Sequence, residues 1–183
     1  MAFPSAPAVR RFAFRALPAI ALPLALLAPA EPALARDPLA LAAPGRTLTL
    51  PLAALEALPA VTREVTFLTS QGEEHARYTG ASLWSVLVGN GLVDPADLHA
   101  LIRQVVIVTG GDGYVLVLSA GELAPELGAA PILLVHQRDG APLPAARSPR
   151  LVVPGDRRGA RQVFDVARIE VRTLPEPPTG ENP

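Results

Sequence analysis

The chain has 183 residues and a net charge of −1; half of it is hydrophobic and only 4% is aromatic, which suits one domain with a core of Leu, Val, Ile and Ala. It contains no cysteine, excluding disulfides, thiolate-held metals, iron–sulfur clusters and cysteine nucleophiles. Every basic residue is arginine, and the weakly acidic balance argues against nonspecific nucleic-acid binding, which needs a basic surface.

Residues 1–35 read as an export signal. Arg10, Arg11 and Arg15 form a positive start, and Ala16 to Ala30 is an apolar run broken by Pro18, Pro23 and Pro29. Ala33-Leu34-Ala35 is an Ala-x-Ala cleavage site, with Arg36 opening the mature chain. The run is too short and too interrupted for a membrane span, so the reading is a periplasmic protein with no transmembrane span; an uncleaved anchor is the alternative. Arg10-Arg11 hints at the twin-arginine route, but Phe14 sits one position late for that motif, which leaves the Sec route open. Cleavage would remove three of the sixteen arginines and one of the seventeen acids, leaving −3.

The elements follow in order. Arg46 to Leu50 alternates and predicts a strand, and Pro51 opens a short helix with Leu52, Leu55 and Leu58 on one face. Residues 61–69 predict a second strand, and Gln71 to His75 a polar connection. Ser82 caps a helix from Ala81 to Val88, closed by Gly89-Asn90-Gly91; Trp84, the one tryptophan, reads as a core anchor. Asp94 caps a second helix, with Pro95 in its first turn, ending at Leu101. Val105–Thr109, the turn Gly110-Gly111-Asp112-Gly113 and Tyr114–Leu118 form a hairpin. Ser119 to Glu122 fits a capping box. Ile132 to His136 predicts a strand turned by Asp139-Gly140, followed by a Pro-rich loop to Pro149. Leu151–Val153 and Val163–Val171 complete the sheet. Residues 174–183 read as a disordered tail, after a domain over 36–173. Short strands with few helices indicate an α+β fold.

Familiar catalytic patterns are missing. His75, His99 and His136 form no zinc-binding spacing. No serine sits in a Gly-x-Ser-x-Gly elbow, and no glycine run fits a P-loop or a dinucleotide fingerprint.

One stretch has a chemical character. In Val152-Val153-Pro154-Gly155-Asp156-Arg157-Arg158-Gly159-Ala160-Arg161 a strand ends at a Pro-Gly turn and three arginines follow within five positions. Glycine allows close backbone approach, and arginine offers a bidentate fork to phosphate or carboxylate. The stretch reads either as an anion cradle or as a solvated turn whose arginines pair with Asp156 and Asp165. In the cradle reading, Arg161 faces the ligand without a neutralising carboxylate.

Pro154-Gly155, Gly159-Ala160-Arg161-Gln162-Val163 and Arg168-Ile169-Glu170-Val171 together resemble the end of the oxidoreductase molybdopterin-binding domain of sulfite oxidases and related bacterial periplasmic proteins. The resemblance extends through Tyr78 to Leu87, Thr109 to Tyr114 and Ile132 to Val135, over about residues 45–172. It implies a mixed-sheet, barrel-like α+β domain and a molybdenum–pterin cofactor. By residue match, Gly159, Arg161 and Arg158 would hold the pterin and its phosphate. In the family a cysteine thiolate ligates the metal; here Phe67-Leu68-Thr69-Ser70 occupies that region, with Thr69 or Ser70 nearest the place. A neutral hydroxyl is a poor substitute for a soft thiolate. Three readings follow: a non-catalytic relative that binds a pterin or another small anion, a molybdopterin-dependent oxidoreductase working without a cysteine ligand, and a structural or interaction domain that keeps only the fold.

Overall fold

The computed structural model describes residues 37–175; the stretch 1–35 read as an export signal and the residues beyond Pro175 read as a tail lie outside them. Two five-stranded sheets carry the fold, each built from period-two alternation. The first contains β1 (Leu39–Ala43), β2 (Arg46–Leu50), β5 (Gln104–Gly110), β6 (Val115–Ser119) and β10 (Val166–Thr173) in the order β2-β1-β10-β5-β6. Its β1–β10 pair is parallel and the rest antiparallel. The second contains β3 (Ala60–Thr69), β4 (Gly72–Ser82), β7 (Leu133–Arg138) and β8 (Ala141–Pro142) in that order, with β9 (Arg150–Val152) also on β7. Four short helices link them: α1 (Leu52–Glu56), α2 (Leu83–Gly89), α3 (Leu98–Leu101) and α4 (Ala120–Leu123).

The domain is thus α+β with a mixed sheet, as expected, but not a barrel. The first sheet ends at β2 and β6, the second at β3 and β8, and among the described residues no strand pair joins one sheet to the other to close a cylinder. None of the described helices is long and apolar enough to cross a membrane.

The main core gathers Leu41, Val106, Val108, Ile169 and Val171 of the first sheet, Ala81, Leu134 and Leu151 of the second, and Leu83, Val86 and Leu87 of α2. Burying each large aliphatic side chain contributes about 1.5–3 kcal/mol. Trp84 is half-buried against this core. The second sheet also buries its other face, around Val65, Phe67, Ala76, Tyr78, Leu133, Val135, Leu143 and Val152. The sheet is tightest at Gly80, beside a register shift between β4 and β7. A Cβ there would lie 2.2 Å from the Leu134 carbonyl oxygen and 2.4 Å from Val135 Cα, so no side chain fits.

Several elements differ from the sequence reading. β1 was not foreseen, its Ala-rich run carrying little strand signal. Gln71–His75 is not a connection: Ser70 and Gln71 alone make the turn, because Thr69 pairs with Gly72 and β4 begins there. The polar Glu73 and His75 are the outward members of that strand's alternation. Asp97, not Asp94, caps α3, accepting from Ala100 N at 2.8 Å; Asp94 closes a turn with Ala96 N. Ser119 precedes α4 but makes no cap bond, since Glu122 reaches an arginine instead. β10 starts at Val166, after Asp165 takes a positive φ of 46°. Leu174, assigned to the tail, exchanges bonds with Arg103 through its N–H and its carbonyl.

Candidate functional site

The second buried face opens at one end into a cleft of about 600 Å³, within the size range of small-molecule sites. Four segments build it: the tip of the β3–β4 hairpin (Phe67 to Gln71, with Glu74), the start of β9 (Arg150), Arg147 on the turn before it, and the run from Arg158 to Phe164. Three arginines, Arg147, Arg150 and Arg158, face one carboxylate, Glu74, although the whole chain is slightly acidic.

Arg150 is the centre. It shares the face of Val152, two residues on, so an apolar core position holds a guanidinium that is only 3% exposed. Its Cζ lies 4.3 Å from the ring centroid of Phe164, 5.0 Å from Tyr78 and 5.6 Å from Phe67, distances at which an aromatic face attracts a cation. Nη1 donates to Tyr78 Oη at 2.7 Å and to Glu74 Oε1 at 3.3 Å, while the Tyr78 hydroxyl donates to Glu74. Nε is buried with no partner. Burial and the bond to Glu74 push the Tyr78 phenol up to about 12. Burial also works to raise Glu74, but the Tyr78 bond and the Arg150 and Arg138 charges outweigh it and hold the carboxyl below its usual range.

The residues singled out in sequence divide. Gly159 and Arg158 line the cleft. Gly159 packs against Phe67, leaving no room for a side chain: a Cβ would sit 2.9 Å from Cδ2. Arg161 does not line it. Its Nε and Nη2 bind Asp156 at 2.8 and 2.6 Å, and Nη1 binds Glu122 at 3.0 Å. These bonds, Asp156 first, raise its pKa. Arg161 is thus paired with carboxylates, as the solvated-turn reading has it, and the buried guanidinium at the cleft wall is Arg150. Gln162, also in the cleft wall, is 5% exposed and neither its amide oxygen nor its nitrogen has a partner. Arg150, Arg147, Glu74, Gln162 and Phe164 were missed. Two signals pointed to Arg150: an arginine opening a buried strand, and its two-residue spacing from Val152.

His75 lies outside the cleft, its Nδ1 bonded to Thr66 at 2.6 Å. His99 is exposed on α3, and His136 is buried with Nδ1 unpartnered. Asp112 accepts from Tyr114 N, as a hairpin turn requires.

Thr69 and Ser70 reach the same cleft. The Thr69 hydroxyl donates to Gly72 O and accepts from Gln71 N, so the hairpin turn engages it on both sides. Among the described residues no three His, Asp or Glu side chains converge as a metal site. Thr69 and Ser70 thus bring neutral oxygen donors, poor partners for a soft metal, to this end of the cleft.

The sequence matches no protein-family profile and no curated protein sequence. The structure is similar to that of the sulfane dehydrogenase SoxCD from Paracoccus pantotrophus, with a TM-score of 0.59 and 18% identity, covering 74% of this chain and 38% of that one. The chain thus spans under two fifths of the neighbour's length, and the likeness is one of fold.

Proposed function

We propose that the protein is an exported, periplasmic binding module without redox catalysis of its own, which takes a phosphate-bearing small molecule with a flat ring system, a pterin being the candidate that the family resemblance supplies. The observation that carries this is Arg150: a guanidinium caged by aromatic rings at a cleft wall, with its Nε unpartnered and only one carboxylate nearby. Holding a charge in such a place costs several kcal/mol of desolvation, and a ligand oxyanion offsets part of that. Arg147 and Arg158 stand at the same cleft with no carboxylate partner among the described residues, and Phe67 and Phe164 supply apolar wall. The fold likeness to a sulfane dehydrogenase supports the family resemblance, while the hydroxyl donors at Thr69 and Ser70 favour binding over molybdenum chemistry.

Calorimetric titration tests the reading, with inorganic phosphate and then a phosphorylated pterin as probes. Wild type is expected to bind both, the pterin more tightly. Arg158→Ala should weaken the pterin about 10-fold, the loss of one charge-assisted hydrogen bond. No affinity for either probe overturns the proposal. Stoichiometric molybdenum in protein purified from a cofactor-producing host overturns its non-catalytic part.

A further inference from the structure

We infer that the ligand carries two anionic groups, the second held by Arg157 and Arg158 in a side lobe of the cleft; this rests on the proposal that the main lobe binds a phosphate. Next to the main cleft lies a second concavity of about 460 Å³, lined by Leu68, Asp156, Arg157, Arg158 and Ala160. Leu68, Arg158 and Ala160 line both spaces, so the two form one trough.

The side lobe is positive for a structural reason. Asp156 is its one carboxylate, and both its oxygens are taken by Arg161, which binds Glu122 as well. Arg157 and Arg158 make no side-chain hydrogen bond or ion pair among the described residues. Two neighbouring guanidinium groups are therefore left with no carboxylate bonded to them, and with Arg161 they outnumber Asp156 and Glu122 by three charges to two. Their backbone is nonetheless fixed: Leu68 N donates to Arg157 O at 3.0 Å, and Leu68 forms a parallel bridge with Arg158. This pins the loop to the end of β3.

Between the two groups of arginines the trough floor is apolar. Leu68 is 45% exposed and lies where the lobes meet. The matching ligand has a compact organic body over Leu68, one phosphate toward Arg150 and Arg147 and a second toward Arg157, with Arg158, which lines both lobes, serving either. A nucleoside bisphosphate has this chemistry. A monophosphate engages one lobe only.

The experiment titrates 5′-AMP and adenosine 3′,5′-bisphosphate into the full chain at one ionic strength. Wild type, Arg157→Ala and the distant Arg172→Ala are compared. The bisphosphate is expected to bind wild type at least about 10-fold more tightly than AMP. Arg157→Ala should abolish that advantage while leaving AMP within about twofold, and Arg172→Ala should change neither. Arg157 is exposed, so circular dichroism should show the variant folded. A bisphosphate that binds no better than AMP, or an Arg157→Ala that weakens both equally, overturns the second subsite and leaves the main-lobe proposal standing. Absence of binding by either nucleotide also overturns it, and inorganic phosphate then decides separately whether the main lobe binds anions.

Discussion

Arg161 and Asp156 face each other as a two-pronged pair, Nε to Oδ2 at 2.8 Å and Nη2 to Oδ1 at 2.6 Å. The pair closes the loop of residues 156–161 on itself, and Glu122 ties the same guanidinium to α4. Arg161 thus holds the loop that carries Arg157, Arg158 and Gly159. Its side chain is 39% exposed, so solvent screens the pair and limits its worth to about 1 kcal/mol. Arg161→Ala should lower the unfolding free energy by about that much in a denaturant titration, and leave inorganic phosphate affinity within about threefold. A loss of phosphate binding as large as that of Arg158→Ala, with stability unchanged, would restore Arg161 as a direct ligand.

Gly159→Ala tests the opposite kind of residue, one that matters for what it lacks. The new methyl would lie 2.9 and 3.0 Å from Phe67 Cδ2 and Cε2. The ring must move, and it is one of the three that surround Arg150. Overpacking of this type costs about 1–3 kcal/mol. Both thermal stability and phosphate affinity should fall. A variant as stable as wild type, with unaltered binding, would show that the Phe67 ring gives way freely and does not position Arg150.

The strands and the cleft were unequally legible in the sequence. Val105–Thr109 and its return strand could be read because β-branched alternation flanks a Gly-rich turn, and Gly113 duly takes φ +83°. β4 was missed because its first residues are polar, although Ala76 and Tyr78 keep the period of two. The loop of Arg158 and Gly159, which lines the cleft, stands out by composition. Composition says nothing of where the Arg161 guanidinium turns, and Asp156, five residues earlier, is within its reach. Arg150 escaped because its meaning depends on residues far away in sequence: Glu74, Tyr78 and Phe67 come from a hairpin more than seventy positions earlier.

Tyr78 gives a spectroscopic readout of the buried network. Its phenol is pushed up to about 12, by burial first and then by Glu74. A folded-state pKa above the unfolded value of 10.0 contributes stability that is complete below pH 10 and lost as pH rises toward 12. The expected loss is about 3 kcal/mol. The chain has two tyrosines, so Tyr114→Phe leaves Tyr78 as the only phenol. Tyrosinate absorbance in that variant should rise near pH 12, together with weakening of the fold. A midpoint near 10 in folded protein would mean that the Tyr78 hydroxyl is not held as described.

Glu74→Gln separates stability from binding at the same site. Glu74 is the carboxylate that both Arg150 and Arg138 approach, at 3.3 and 3.4 Å, and the amide that replaces it still accepts from the Tyr78 hydroxyl. Removing the charge leaves Arg150 without its counter-ion, at a cost of about 2 kcal/mol, less than the full penalty for an orphaned buried ion because the amide oxygen and the three rings remain. The same change removes the one negative charge in the cleft lining, so phosphate affinity at neutral pH should rise about 3- to 10-fold. The pH dependence follows from the depressed carboxyl. A lowered folded-state pKa gives stability that is present above the unfolded value of 4.5 and is lost as pH falls through the folded value. Wild type and Glu74→Gln should therefore differ most above pH 5 and converge as the medium becomes more acid. Denaturant unfolding across that range, paired with phosphate titration at pH 7, measures both effects. If the two proteins keep a constant gap in stability down to strong acid, the Glu74 charge is not what holds Arg150; if phosphate binds the variant more weakly, the carboxylate is a ligand contact and not a competitor.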